Sequence, residues 1–377
     1  MMPKVKRIRL KKYLLLIVLA SMAFIIGGCR LAEVSNEASG KAVETRVIVD
    51  MGGRRVTVPR KINKVFCSNP IGTVDVYLLA PEKLAGWNFK PALEERKFIE
   101  EKYLDLPALG VWMGAGAVPN AEEIVKAAPD AILCFWTTDR NGIDMADTIE
   151  AQTGIPVILM DCGINSVDKV YELLGEYLDV KERAEMLGRY CRNTLETLSE
   201  KISVIPEQKR KRVFISQGKG GLQTDPVGSI HIQDVLDFLK LKNVADLPGT
   251  AGKGMGMPSV SIEQLIYWNP DVILINEYNL NDAEKSGLYE EILHGEDWSQ
   301  IKAVRDKKVY DIPQSPFSWF GKPPSAVRIL GSVWLANLLY PDYIHIDIRS
   351  EIKRFYSTFY RYSLTDTQVE EILAKAL

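Results

Sequence analysis

An internal repeat limits the possible folds of this 377-residue chain more than any other feature. Residues 120–133 (NAEEIVKAAPDAIL) align with residues 261–274 (SIEQLIYWNPDVIL), and residues 64–69 (KVFCSN) align with residues 212–217 (RVFISQ). In the longer copies, an Asn or Ser that can cap a helix precedes a short helix, a Pro-Asp turn and a buried strand. The two matches occur in the same order at nearly the same offset, so they predict two related lobes.

The alternation of β-branched runs with helical stretches predicts an α/β fold with mainly parallel sheets. We therefore expect two similar α/β lobes with central parallel sheets and a ligand cleft between them. Predicted strands are residues 47–49, 56–58, 64–67, 131–135 and 157–161 in the first lobe, and 213–216, 272–276 and 309–312 in the second.

The segment 167–205 has the periodicity of a helix and ends at Pro206. It predicts a long helix that joins an N-terminal lobe (46–166) to a C-terminal lobe (206–377), provided that the break near Asp179 is only a kink. Such a connection would resist large hinge motions. Residues 324–377 alternate aromatic and charged residues at helical spacing, and we expect them to pack as terminal helices over the second lobe.

The N-terminus has the pattern of a secretory signal peptide, residues 1–28. A basic run precedes an apolar stretch of fourteen residues (13–26), which is shorter than the roughly 20 residues that a membrane-spanning helix needs. The following Gly-Gly-Cys29 resembles the lipobox of bacterial lipoproteins, in which the Cys is lipidated. An uncleaved anchor, or an ordinary signal peptide with a chance Cys, is the alternative. Residues 29–45 would then be a lipidated Cys and a flexible tether, which predicts an extracytoplasmic, lipid-anchored protein.

Charge and motifs exclude several functions. Without residues 1–28, about 41 Lys and Arg face 49 Asp and Glu, and this acidic balance gives no reason to expect nucleic-acid binding. The chain contains no phosphate-binding loop, zinc-protease motif, nucleophile elbow or CxxC pair, so we expect neither an enzyme nor an intrinsic cofactor. The spacing of Cys67, Cys134, Cys162 and Cys191 selects no disulfide, and buried free thiols are expected.

Together, the lipobox, the duplicated lobes and the linking helix resemble the class III solute-binding proteins of the iron-chelate and vitamin B12 uptake family. Further matching segments are residues 47–59, 229–231, 243–245 and 334–342. The resemblance implies a monomer that delivers an iron complex (siderophore or haem) or a corrinoid to an ABC permease and its ATPase. Residues 315–325 (SPFSWFGKPPS) look like a feature of relatives that handle molybdate or tungstate, which keeps an oxyanion ligand open.

In duplicated α/β lobes, ligands are expected beyond the carboxyl ends of the strands. Loops of the first lobe place Trp87, Trp112 and Trp136 there, although such residues are more often part of a core.

In the second lobe, the glycine-rich stretch 217–221 could bind an anion or could simply be a tight turn. Candidate ligand contacts in the second lobe are Lys219, Ser229, His231, Lys253, Trp319 and Lys322. With only three His in the chain, a site for a bare transition metal is not favoured, and His231 is either a metal ligand or a hydrogen-bonded residue near a helix start.

Glu122 and Glu263 occupy equivalent places early in the two repeated helices. By resemblance, they would dock onto the membrane subunits of the importer. A favourable charge at a helix start is the alternative explanation, and both roles can hold together. The competing functions are an extracytoplasmic metal chelatase, which should present a paired His or carboxylate site, and an adhesive lipoprotein, which needs no shared cleft.

Overall fold

A computed structural model describes residues 44–112, 119–229, 231–247, 257–277 and 287–377, apart from the side chain of Glu94. The positions of Cys29 and Lys253 lie outside these residues. In the described part, the strands are β1 (Thr45–Val49), β2 (Arg55–Pro59), β3 (Val65–Cys67), β4 (Ala131–Trp136), β5 (Val157–Asp161), β6 (Arg212–Ser216), β7 (Lys242–Asn243), β8 (Val272–Ile275) and β9 (Val309–Asp311). All eight predicted strands are present, and only the short β7 was not predicted.

The helices lie between and after these strands. They are α1 (Pro70–Leu79), α2 (Leu93–Arg96), α3 (Glu101–Leu104), α4 (Ala121–Ala127), α5 (Arg140–Thr153), α6 (Val167–Tyr177), α7 (Lys181–Ser203), α8 (Gln233–Phe238), α9 (Ile262–Trp268), α10 (Leu288–His294), α11 (Lys302–Arg305), α12 (Arg328–Leu339), α13 (Ile348–Phe355) and α14 (Asp366–Leu373). A π-helical turn, Tyr356–Tyr360, follows α13 directly.

Each lobe is built on its own parallel sheet, which confirms the predicted two-lobe α/β fold. The first sheet has the order β3-β4-β5 and the second has the order β7-β6-β8-β9. The central strands β4 and β8 are apolar runs buried along their length, as expected for parallel sheets covered by helices on both faces. An antiparallel hairpin, β1–β2, precedes the first parallel sheet, and the Asp50 carboxylate ties it to β5 by accepting from Leu159 N at 3.1 Å.

The two copies of the sequence repeat form helices, α4 and α9, that begin and end in the same way. The Asn120 side chain caps α4 and the Ser261 side chain caps α9, each accepting from the third residue of its helix at 3.2 Å. Both helices end in a left-handed residue, Ala128 or Asn269, before the Pro-Asp turn. This shared local geometry explains why the two sequences match.

The linking segment is helical but is not one continuous helix, which corrects the sequence-based expectation. Asp179, with φ at +60°, turns the chain, and α7 runs back along α6. The two helices approach closely: a Cβ added at Gly175 would lie 2.5 Å from Ala184 Cβ, and Asp168 pairs with Arg192 at 3.0 Å near the other end. The long element of the linker is therefore α7, whose 23 residues span roughly 35 Å at about 1.5 Å per residue.

The C-terminal helices pack between the lobes as well as over the second one. Arg183 of α7 donates to the carbonyl oxygens of Leu78 and Leu79 at the end of α1, and also to those of Thr358 and Phe359 in the π-helical turn. Arg361 also donates to the Leu79 carbonyl, at 3.0 Å. The terminal segment therefore fixes the end of a first-lobe helix to the linker.

A buried arginine joins the two lobes. Arg328, at the start of α12, is 1% exposed and donates to both carboxylate oxygens of Asp234 at 2.9 and 2.7 Å. It also donates to the Cys162 carbonyl, just after β5 of the first lobe, at 2.6 Å. Asp234 in turn accepts from Ile164 N at 2.8 Å. Because these groups satisfy one another's hydrogen bonds, opening the lobes here would leave several charged and polar groups without partners.

Candidate functional site

The candidate site lies at the carboxyl end of the second sheet. Strands β6 and β8 end side by side, since Ser216 pairs with Ile275 and Asn276 N donates to the Ser216 carbonyl at 2.9 Å. The next residue of each strand, Gln217 and Asn276, is buried. Parallel strands bring their carboxyl ends to one edge, so these two side-chain amides are neighbours there.

Asn276 presents an amide N–H that has no acceptor among the described residues. The Gln314 amide donates through Nε2 to the Ile312 carbonyl and to Asn276 Oδ1, both at 3.2 Å. These contacts fix the orientation of both amides, because a carbonyl oxygen can only accept. Asn276 Nδ2 and Gln314 Oε1 are then left buried and without a hydrogen-bond partner among the described residues. A buried donor without a partner costs about 1–3 kcal/mol, so Asn276 is poised to bind an oxygen atom of a ligand.

Lys322 supplies a positive charge beside this edge. Its ammonium donates to Gln217 Oε1 and contacts Met257 Sδ at 2.6 Å. The Gln217 amide donates through Nε2 to the fully buried Asp225, so Lys322, Gln217 and Asp225 form one chain of hydrogen bonds. Burial lowers the pKa of Lys322, and the charge of Asp225 opposes that shift.

His231 lies next to the same group of residues. Its backbone N–H donates to Ser229 Oγ at 3.3 Å, and its Nδ1 is buried without a partner in the described part of the chain. Burial lowers its pKa; Asp225 opposes this, while Lys322 and Arg328 add to it. No group of three or more His, Cys, Asp or Glu side chains suited to a metal ion occurs among the described residues. The structure therefore gives no support to His231 as a member of such a metal site.

The other predicted residues of the second lobe are not part of this edge. Ser229 is buried and donates to Asp225 at 2.9 Å, so it supports the loop. Lys219 is exposed and lies in the glycine turn, where Gly221 N donates to Gly218 O at 3.1 Å and Gly218, Gly220 and Gly221 have positive φ. The turn therefore satisfies its own backbone there, as the tight-turn alternative predicts. Trp319 is fully buried against Trp334, and this packing corrects its assignment as a ligand contact.

The three tryptophans of the first lobe have different environments. Trp87 is buried and donates to the Tyr103 carbonyl at 2.7 Å, so it is mainly a core residue. Trp112 is half-buried and donates to Gln152 Oε1 at 2.8 Å, and its backbone N–H donates to the Ser68 carbonyl just beyond β3. Trp136 is half-buried at the end of β4. Both residues are therefore partly exposed, but the Trp112 ring packs against Phe66 of β3 and bonds Gln152 near the end of α5, and Trp136 alone of the three ends a strand.

A small pocket lies at the seam between the lobes. It has a volume of about 40 Å³ and is lined by the start of α1 and residues 87–92 of the first lobe, and by Phe317 and Pro323 of the second. Pro323 follows Lys322, so the pocket adjoins the loop that carries the lysine. A space of this size holds about one or two water molecules and is far smaller than a haem or a siderophore.

The remaining predicted residues lie on the surface or in the core. Glu122 and Glu263 are exposed in the first turns of α4 and α9, and hydrogen bonds from the backbone and from Ser261 lower the pKa of Glu263. The four cysteines in the described part of the chain are free and buried, as expected. Within the same residues, no helix combines the length and apolar character needed to cross a membrane.

Sequence reasoning placed Gln217 in the glycine-rich stretch 217–221 but did not identify its side chain as a site residue, and it did not identify Asp225, Asn276 or Gln314. Each of these three is a single polar residue in a loop, without a motif around it. The repeat carried a usable signal, because its offset of 141 residues places Asn276 opposite Phe135 of the first lobe. The two lobes therefore differ in side-chain chemistry at this strand end.

Comparison with known proteins identifies what the chain resembles. The family model described as "Periplasmic binding protein" matches residues 99–316, more than half of the chain. A solved ABC transporter solute binding protein from Sulfurospirillum deleyianum is 28% identical, with a TM-score of 0.78 over 87% of this chain and 99% of that one. The molybdate-binding protein MolA of Haemophilus influenzae is 25% identical over 88% of this chain and 96% of the relative. The haem uptake protein IsdE of Staphylococcus aureus is 23% identical over 59% and 71%, respectively.

Proposed function

Because the chain belongs to the periplasmic binding protein family, we propose that it is the substrate-binding component of an ABC importer, with no catalytic activity of its own. It captures a small ligand between its lobes outside the cytoplasm and delivers it to a permease that is driven by an ATPase. The proposal includes a lipid anchor on Cys29, a monomeric state and the lobe boundaries expected from the sequence.

A small oxyanion is the ligand that the site favours. The observation that carries this proposal is the N–H of Asn276, which has no acceptor in the described part of the chain. Gln314 orients this amide at the strand end next to Gln217, the residue that binds Lys322. An amide donor and an ammonium together suit an oxygen-rich anion. Molybdate and tungstate fit this description, and the full-length similarity to a molybdate-binding protein supports the choice.

An iron complex, such as a siderophore or haem, or a corrinoid, is the second candidate. The partly exposed rings of Trp112 and Trp136 on the first lobe offer aromatic faces to a large planar or aryl-bearing ligand. The buried Nδ1 of His231, which lacks a partner among the described residues, offers a further contact. Similarity to a haem uptake protein over part of the chain supports this candidate.

Docking on the importer is the proposed role of Glu122 and Glu263. Both carboxylates are exposed on helices that occupy equivalent places in different lobes. Two anions held apart on a rigid body can orient the protein on a basic surface, chiefly by raising the rate of productive encounters.

Titration calorimetry with a ligand panel tests the proposed ligand. Purified protein is titrated with molybdate, tungstate, sulfate and phosphate, and separately with haemin, a ferric siderophore and a corrinoid. We expect saturable binding of molybdate or tungstate that weakens about 10- to 100-fold in Lys322→Met, because a charge-assisted hydrogen bond is lost.

The matched control is Lys219→Met, which removes an exposed lysine of the same lobe and should leave the affinity unchanged. Binding of an iron complex, with no binding of an oxyanion, would favour the second candidate ligand. Binding of none of these ligands would contradict the proposal.

A further inference from the structure

Asp225 is a buried carboxylate that lies behind the oxyanion site rather than in it. It is 0% exposed, and its two oxygens accept hydrogen bonds from Gln217 Nε2 and Ser229 Oγ. Its backbone carbonyl accepts from Asn243 Nδ2 at 3.0 Å, and Asn243 Oδ1 accepts from Ala245 N at 3.0 Å. The loop that carries the carboxylate is therefore fixed on several sides.

The Gln217 side chain connects this carboxylate to Lys322. An ionised carboxylate only accepts hydrogen bonds and an ammonium only donates them. The amide must therefore point its N–H toward Asp225 and its oxygen toward Lys322, as it does. A flipped amide would place N–H groups against the ammonium and oxygen against the carboxylate. Asp225 thus determines which end of Gln217 the lysine meets.

The charges around Lys322 strengthen this dependence. Burial lowers the pKa of Lys322, and the charge of Asp225 opposes that shift. His231 is a further titratable group beside them; burial lowers its pKa, Asp225 opposes this shift, and Lys322 and Arg328 add to it. Asp225 is therefore an anion that acts on both basic side chains of this group.

We propose that Asp225 is a positioning residue for anion recognition, which acts through the Gln217 amide to hold the Lys322 ammonium at the strand end that also carries Asn276. The inference deepens the proposed oxyanion function and rests on it where ligand affinity is concerned. The chain from carboxylate to amide to ammonium can be examined without any ligand.

The test compares Asp225→Asn with a double variant that moves the carboxylate. In Asp225→Asn the new amide can donate to Gln217 or accept from it, so the orientation of Gln217 is no longer imposed. We expect the pKa of Lys322, followed by NMR on protein with ¹³C-labelled lysine, to fall by about one unit or more. Molybdate affinity, measured by calorimetry, should weaken about 10- to 100-fold, with the loss growing as the pH rises.

The double variant Gln217→Glu with Asp225→Asn should restore both quantities. The carboxylate introduced at position 217 can accept from the new amide and from the Lys322 ammonium, so charge and hydrogen bonds are again matched. We expect the Lys322 pKa to return near the wild-type value and the affinity to recover to within about threefold, a coupling of the kind that double-mutant cycles detect. A merely structural role of Asp225 would not be rescued in this way.

Ser229→Ala is the control, because it removes the other hydrogen bond to Asp225 and leaves its charge and Gln217 in place. It should not lower the Lys322 pKa. If Asp225→Asn does not fold, Gln217→Met breaks the same chain with Asp225 retained, and the Lys322 pKa should again fall. An unchanged Lys322 pKa in the folded variant, or no recovery in the double variant, overturns the proposal. If wild-type protein binds no oxyanion, the proposed ligand class fails, while the ligand-free pKa still decides the role of Asp225.

Discussion

Asp75 makes the stability of this protein depend on pH in an unusual direction. It lies in α1 of the first lobe, is buried, and accepts a hydrogen bond at 2.8 Å from Ala326 N of the second lobe. Burial raises its pKa from 3.8 to about 7, against the opposing effects of this hydrogen bond and of Arg328. The folded protein therefore holds a proton that the unfolded chain releases at a lower pH.

The size and sign follow from this difference. Between pH 4 and pH 7 the folded state binds more protons than the unfolded state, so the contribution of Asp75 to stability falls as the pH rises through this window. A full shift from 3.8 to about 7 corresponds to roughly 4 kcal/mol at about 1.4 kcal/mol per unit, and about 2–3 kcal/mol of it is lost between pH 5 and pH 8.

The perturbation is Asp75→Asn, whose amide oxygen can still accept from Ala326 N. Urea unfolding of the wild type and the variant at pH 5 and pH 8 gives the free energy of unfolding of each. We expect the variant to gain about 2–3 kcal/mol relative to the wild type between these two pH values. Asp144→Asn, at an exposed position on α5, is the matched control and should show no such gain. A difference between the wild type and Asp75→Asn that does not change with pH, or that changes in the opposite direction, would refute the reasoning.

Three further perturbations test other parts of the account. Arg328→Met leaves the Asp234 carboxylate and the Cys162 carbonyl without their buried cationic partner, so the free energy of unfolding measured in urea should fall by about 3–5 kcal/mol. A fall below about 1 kcal/mol would show that Arg328 does not hold the lobes together. Glu122→Lys combined with Glu263→Lys should nearly abolish uptake in cells at unchanged affinity for the ligand in solution, and normal transport would remove the docking role. Cys29→Ser should release the protein from membranes without unfolding it, whereas full retention after high-salt washing would contradict the lipid anchor.

Local signals in the sequence were sufficient for the two lobes and their strands. Caps, Pro-Asp turns and buried apolar runs act over a few residues, so the repeat could be read directly, and the structure has the same caps at Asn120 and Ser261. The path of the linker was harder to predict, because a residue such as Asp179 can either continue a kinked helix or adopt positive φ and reverse the chain. The close packing of Gly175 against Ala184 is consistent with chain reversal, and a tertiary contact of this kind cannot be read from a local sequence pattern.

The site could be predicted only in part for a similar reason. Lys322 was identified because it lies in a loop after a second-lobe strand and can supply positive charge to an anion. Trp319, predicted in the same loop, packs inward against Trp334. Side-chain direction within an irregular loop depends on packing that no local pattern encodes. The roles of Asn276 and Asp225 depend on contacts that no local pattern shows. Asn276 bonds Gln314, and Asp225 bonds Gln217 and Ser229.

The position of a bound ligand tests the central claim most directly. Crystals of the protein grown with tungstate would locate the metal by its strong anomalous scattering, independently of the surrounding density. We predict one tungstate between the lobes, with oxygens at about 2.7–3.2 Å from Asn276 Nδ2 and Lys322 Nζ. Tungsten bound away from the carboxyl end of the second sheet, or an empty cleft at saturating tungstate, would contradict the account.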